Sequence, residues 1–285
     1  MNIVEPKAEL WCQVNIKDHI TRCAQVCYRS DREVDSEEFI KARLRAGHVS
    51  ILRHGTKYYK IPILKHIYSN EYIGFMEIND RIDRLHYVKY VRDNDYMYIA
   101  VNMQQYYEAS EVFDELEEYE IDEIEAFNIQ ILHEYIFRYT FYLQTQISTT
   151  RELNRVSPNN ILEESTRYVE ERTLCRPWWC DNSFIDEHPA LKKVRKEYFN
   201  SCEAAFEDYN FLIKNGLEKQ DARGVLPLDT CTHVVYTYTI QEWREIIDKR
   251  YYGKSGKPHP NCVEVIEKVK EILESEGYDF AIATL

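Results

Sequence analysis

Apolar positions recur along this chain with two periods, and each period predicts its own kind of element. Residues 2–16 read as a strand and its return, followed by an amphipathic helix to about Tyr28 that gathers Ile20, Cys23, Val26 and Cys27 on one face. Asp35 or Ser36 caps a second helix, with Glu37 and Glu38 in its first turn and Gly47 placed to end it. From Lys57 to about Val101 the Tyr, Ile and Val content predicts several antiparallel strands and hairpins, with Tyr96–Val101 the clearest. One or two helices are expected between Asn102 and about Glu134, separated by an acidic run from Asp114 to Glu120 that reads as a solvated face. Residues 136–145 alternate, Phe137, Tyr139, Phe141 and Leu143 against Arg138, Thr140, Tyr142 and Gln144, which predicts a strand. From Pro189 a long helix places Leu191, Val194, Tyr198, Cys202, Ala205, Tyr209 and Leu212 at helical spacing, as a core or bundle helix closed by Asn215-Gly216. A strand from Cys231 to Tyr238 leads to a capping box, Thr239 with Glu242, opening a helix with Trp243, Ile246, Ile247 and Arg250 on one stripe.

The polar groups best suited to chemistry concentrate between Thr149 and Tyr168. Thr149 with Glu152 has the form of a capping box, so a short helix should start there and carry Arg151 and Arg155 on one face. Pro158 stops it, and Asn159-Asn160 favours a turn before Ser165-Thr166-Arg167-Tyr168. Arg155 and Arg167 then flank one turn, a phosphate grip in which guanidinium groups meet anionic oxygens and Ser165 adds a donor. The competing reading makes these arginines surface ion pairs with Glu152, Glu163 and Glu164. Arg223, in Ala222-Arg223-Gly224-Val225-Leu226-Pro227, ends a short turn before a strand, and Arg250 continues an apolar stripe. An inward guanidinium needs either a protein acid such as Glu245 or an anionic or polarisable ligand. The segment 47–56, with His48, Arg53 and His54, reads as a loop that either touches a ligand or is solvated.

Composition narrows the partners. The chain has 285 residues, 44% of them hydrophobic, without an internal repeat or a convincing linker, so residues 1–285 are read as a single domain. A net charge of −13 argues against nucleic acid and anionic membrane, so any phosphate must be met by locally clustered arginines. No leader or apolar span stands out, which predicts a soluble, cytoplasmic protein, and the eight cysteines are expected to be reduced thiols. Cys175 and Cys180, with His188, lack the spacing and second ligand pair of a zinc site, so no metal is expected. Pro177-Trp178-Trp179 reads as part of an insertion or subunit contact.

Four ordered motifs resemble the flavin-dependent thymidylate synthases, from near residue 1 to about residue 272. They are Gly47-His48 through Arg53-His54-Gly55-Thr56; Arg155-Val156-Ser157, seven residues, then Ser165-Thr166-Arg167-Tyr168; Ala222-Arg223 through Leu226-Pro227; and Glu242-Trp243 through Arg250. The resemblance implies an α+β fold, a mixed or antiparallel sheet with flanking helices, in a homotetramer whose active sites are shared between subunits. It implies a methyltransferase that makes dTMP from dUMP with FAD, methylenetetrahydrofolate and NADPH. By position, the dUMP contacts would be Glu152, Arg155, Glu163, Ser165, Thr166, Arg167, Arg223 and Arg250, with Arg250 activating the pyrimidine ring. The FAD contacts would be His54, Thr56, Arg155, Ser157, Glu163, Thr239, Gln241 and Glu245. Departures fall on the flavin side: Val156 and Ser157 replace a His and an Arg, Thr239 and Glu245 replace flavin-contacting residues, and Arg151 stands where many members have His. The alternatives are hydroxymethylation of C5 in dUMP or dCMP, and a non-catalytic nucleotide-binding homologue.

Overall fold

The computed structural model describes residues 1–30, 32–63, 77–168 and 173–280. Its centre is an antiparallel sheet in the order β2-β7-β10-β8, with β2 at Lys7–Trp11, β7 at Arg138–Gln146, β8 at Ile161–Glu163 and β10 at Cys231–Thr239. A second antiparallel sheet runs β4-β5-β3-β6, with β3 at Thr56–Pro62, β4 at Val88–Arg92, β5 at Tyr96–Asn102 and β6 at Glu120–Ile121. The expected mixed α+β architecture is present. The amino-terminal expectation needs correction, because the proposed strand and return belong to different sheets: β1 (Asn2–Val4) pairs in parallel with β9 (Thr173–Cys175), while β2 joins β7. Part of the expected 57–101 hairpin region lies outside the described residues; within the rest, residues 77–82 are helical.

The central sheet is covered on both faces, which explains why its strands bury polar residues as well as apolar ones. On one face Phe141, Leu143, Val234 and Tyr236 pack against three helices: α3 (Ile147–Asn154), α5 (Ile240–Arg250) and α6 (Pro260–Ser275). On the other face Trp11, Leu162 and Val235 meet α1 (Ile16–Val26) and the 3₁₀ turn Val49–His54. The polar half of the β7 alternation is therefore inside too: Arg138 and Thr140 are buried. Arg138 donates to the carbonyls of Arg53 (2.9 Å), Gly55 (3.4 Å) and Thr237 (3.1 Å) and to Thr56 Oγ1 (2.7 Å). Those bonds replace the water that a buried guanidinium loses.

Helix boundaries follow local chemistry. Asp35 accepts from Glu38 N and caps α2 (Ser36–Arg45), and Gly47 takes φ +79 just beyond its end. The capping box at Thr239 and Glu242 forms as expected and starts α5, which buries Trp243, Ile246 and Ile247. The box expected at Thr149 does not form. The helix α3 begins at Ile147, and its first amides already reach the carbonyls of Thr230 (3.1 Å) and Leu228 (3.1 Å), so Thr149 donates instead to Gln146 Oε1. Four short helices, not one or two, occupy Met103–Glu108, Ser110–Phe113, Glu123–Asn128 and Gln130–Tyr135. Residues 175–188 are tied into the fold, because Arg176 bridges Glu5 and Glu264 and Trp178 N donates to Asn261. The long helix α4 (Leu191–Lys214) buries only Cys202, Phe206 and Tyr209, leaving Val194 52% and Phe211 65% exposed.

Candidate active site

Strand register brings three separate segments to one end of the central sheet. Cys231 pairs with Gln146 and Val234 with Glu163, so the start of β10 lies beside the end of β7 and the end of β8. There the chain enters α3, leaves β8 through Glu164 to Tyr168, and arrives at β10 from the turn at Arg223. Between them is a cleft of about 640 Å³ bordered by Thr150, Arg151, Glu163, Ser165, Thr166 and Arg223. Arg223 donates to Thr166 Oγ1 at 2.7 Å, and Glu163 accepts from Thr150 Oγ1 at 2.7 Å and Thr232 Oγ1 at 3.3 Å. Burial raises the Glu163 carboxyl above the usual carboxylate range against the pull of those two hydroxyls. The cleft thus offers an arginine and hydroxyls for an anion and a desolvated acid for a polar edge.

Glu164, next in the chain, borders the same cleft and serves as a buried anchor. It pairs with Arg29 Nε and His233 Nδ1, each at 2.6 Å. Burial alone would depress the His233 imidazole; its bonds to Cys231 and Glu164 outweigh that and hold it up to about 9. The charged trio fixes the end of β8 and with it the positions of Glu163 and Ser165.

On the far side of α3 lies a second cleft of about 400 Å³, bordered by Arg151, Glu152, Arg155, Arg250, Ser255 and Lys257. Arg151 borders both clefts. The inward placement expected for Arg250 is present, with its side chain only 12% exposed. Its protein partner is Glu152, through the carbonyl at 3.2 Å and Oε1 at 3.8 Å, whereas Glu245 pairs with Lys249. Arg155 and Arg167 do not flank a shared turn: Arg155 borders the second cleft, and Arg167 bonds Gln220 Oε1 at 3.1 and 3.2 Å. Within one chain, then, Glu163, Ser165, Thr166 and Arg223 share one cleft, and Glu152, Arg155 and Arg250 share its neighbour. Thr150, Thr232, Ser255 and Lys257 were not singled out from the sequence. The run Gly253-Lys254-Ser255-Gly256-Lys257, whose glycines take φ +74 and +126, carried a readable signal for two of them.

Of the side chains assigned to flavin by resemblance, His54, Thr56, Ser157 and Thr239 are committed inside the protein, whereas Arg155 and Glu163 border the two clefts. His54 is 1% exposed, in a 3₁₀ turn and not a solvated loop. Its Nδ1 meets Thr237 Oγ1 at 2.8 Å, the link continues to Thr140 at 2.8 Å and His19 at 3.0 Å, and burial keeps the ring well below the usual histidine value. Thr56 accepts from Arg138, Ser157 shares a hydrogen bond with Tyr238, and Thr239 closes its capping box. Val156 packs against the core, Gln241 is exposed, and Glu245 would present a carboxylate to a diphosphate. The set is therefore split: four of its side chains spend their hydrogen bonds inside the protein, while Arg155 is exposed at the second cleft and remains a cation for an anionic cofactor.

Fold and site together define a mixed α+β protein with paired, arginine-lined clefts at one end of its central sheet. The family model described as thymidylate synthase complementing protein matches residues 88–276, and the chain belongs to that family, one of flavin-dependent, nucleotide-modifying enzymes. Among solved structures, the chain is similar to a UMP/dUMP methylase, PolB, from Streptomyces cacaoi, bound with 5-Br dUMP in one case and 5-Br UMP in another. Identity is 15% in both, covering 96% of this chain and 93% or 91% of that one, with TM-scores of 0.47 and 0.46. No curated protein matches the sequence. Among the described residues, no helix is long and apolar enough to cross a membrane.

Proposed function

We propose that this protein binds a pyrimidine nucleoside monophosphate, with dUMP the first substrate to test, and modifies C5 of its ring using the one-carbon unit of methylenetetrahydrofolate. The observation that carries the reading is the pairing of two clefts through Arg151, one with Arg223, Thr166 and Ser165, the other with Arg250 and Arg155. In this assignment Arg223, Ser165 and Thr166 take the phosphate, with Arg167 beside them on the same turn. Glu163 and Glu152 take polar edges of the nucleoside. Arg250, held by Glu152 in a largely desolvated position, offers its remaining N–H donors to the uracil edge. A fixed cation there lowers the cost of negative charge on N3, O2 or O4, which makes C5 the nucleophile that takes the methylene carbon. Subunits of a homotetramer are proposed to bring the two sets of residues onto one nucleotide.

Two outcomes follow from the same first bond. Reduction of the transferred methylene gives dTMP, the thymidylate reaction with FAD and NADPH; capture by water gives a hydroxymethyl group on dUMP or dCMP. The inward commitment of His54, Thr56, Ser157 and Thr239 is the observation that supports the second outcome, and Arg155 and Glu163 at the clefts support the first. Incubation with dUMP or dCMP, methylenetetrahydrofolate, NADPH and FAD, followed by mass analysis of the nucleotide, decides between them. Gain of a methyl group together with a yellow protein supports thymidylate synthesis. Gain of a hydroxymethyl group supports the other, and absence of both products with tight dUMP binding leaves a nucleotide-binding homologue.

A further inference from the structure

At the opposite end of β7 from these clefts, a second kind of cavity opens. The strand's nine residues separate the two regions by roughly 30 Å at about 3.3 Å per residue. This cavity, about 400 Å³, forms where β2 leaves its sheet and the short helix Glu123–Asn128 crosses the start of β7. Its walls are apolar and aromatic: Trp11, Phe127, Phe137 and Tyr139, with Ile124 at the mouth, 74% exposed. Its charged lining is mostly acidic, with Glu123, Asp122 and Glu276 all on its border.

Glu123 has little inside the protein to do. Its Oε1 accepts a long 3.4 Å bond from Gln13 N, and among the described residues no lysine or arginine reaches its carboxylate. Nearby Lys60 and Lys57 are engaged by Glu125 and Glu120. Arg138 borders the same cavity but spends its donors on Arg53, Gly55, Thr56 and Thr237. Burial accordingly raises the Glu123 carboxyl to about 7. An acid left without a cation in an aromatic cavity is costly unless something supplies the charge. The faces of Trp11 are taken by Arg22 and Tyr142, so it contributes an apolar edge, and apolar walls around a desolvated carboxylate select an ammonium group carrying an apolar body.

We propose that this cavity binds a small organic cation, a primary amine on an aromatic or aliphatic body, with Glu123 pairing the ammonium and Phe127 and Phe137 enclosing the body. The site is separate from the nucleotide clefts and stands whether or not the C5 reaction does. The test is calorimetric titration of the full chain at pH 8 with 2-phenylethylamine and with 2-phenylethanol, which share a body and differ in charge. The amine is expected to bind at least tenfold more tightly than the alcohol. Glu123→Gln should erase that difference, and Ile124→Trp, filling the mouth from an exposed position, should weaken both probes. Neither substitution should change dUMP affinity, which also reports that the variants are folded. Equal affinity for the two probes, failure of both to bind, or an amine preference that survives Glu123→Gln overturns the proposal.

Discussion

Arg223 and Arg250 carry the same side chain in surroundings that assign them different work. Arg223 is exposed and, among the described residues, bonds Thr166, so a phosphate can take its other donors at little cost in protein contacts. Arg223→Ala is therefore expected to weaken dUMP binding by about 10 to 100-fold, since charge-assisted pairs contribute roughly 1.5–3 kcal/mol. Titration should show this with the melting temperature nearly unchanged. Arg250 is mostly buried against Glu152, and its proposed role is to stabilise charge that develops during reaction. Arg250→Ala should lower kcat by about 10² to 10³ with a smaller change in nucleotide affinity, in line with other preorganised donors. Equal losses in binding for both variants would remove the division of labour. His233 gives a pH prediction. Its folded value of about 9 lies above the ordinary 6.5, so the protonated ring stabilises the fold fully below pH 6.5, and that contribution fades as pH rises through about 9. Urea midpoints should fall across this window in the parent chain and stay flatter in His233→Gln.

At the scale of elements, α5 shows sequence and structure in agreement. Thr239 and Glu242 form their reciprocal cap, and removing the hydroxyl in Thr239→Ala should cost about 1 kcal/mol, read from denaturant midpoints. Trp243, Ile246 and Ile247 are buried on the stripe that the spacing marked, and Arg250 ends it turned inward. These features were legible because cap, period and termination all lie within a dozen residues. Thr149 misled because a capping box is recognised by spacing alone, while the actual start of α3 is set by carbonyls of Thr230 and Leu228, some eighty residues away. The same long-range origin hid the split of the arginines into two clefts: register places Glu163 beside Val234 and Gln146 beside Cys231, and no local pattern reports it. Thr150 and Thr232 escaped notice for that reason, since each matters only through Glu163. His54 was visible as a histidine but not as a buried one, because the chain of hydroxyls that encloses it comes from β7 and β10.

The whole molecule leaves one large element under-used. The helix α4 has apolar residues at helical spacing, yet Val194 and Phe211 are 52% and 65% exposed, and Leu217 just beyond it is 41% exposed. Single exposed apolar residues are ordinary, but Phe211, 65% exposed near the end of this helix, presents an aromatic surface that gains from being covered. The proposed homotetramer supplies the cover and joins that surface to function, because the residues assigned to one nucleotide are split between two clefts of a single chain. Phe211→Asp places a charge on that face without touching either cleft. Sedimentation should find the parent chain as a tetramer and the variant as a smaller species, with the same helical circular dichroism. Turnover should fall with the loss of assembly, while weak dUMP binding through Arg223 persists. A variant that keeps both the parent mass and its turnover would show that α4 faces solvent in the working enzyme, and the two clefts would then have to act within one chain.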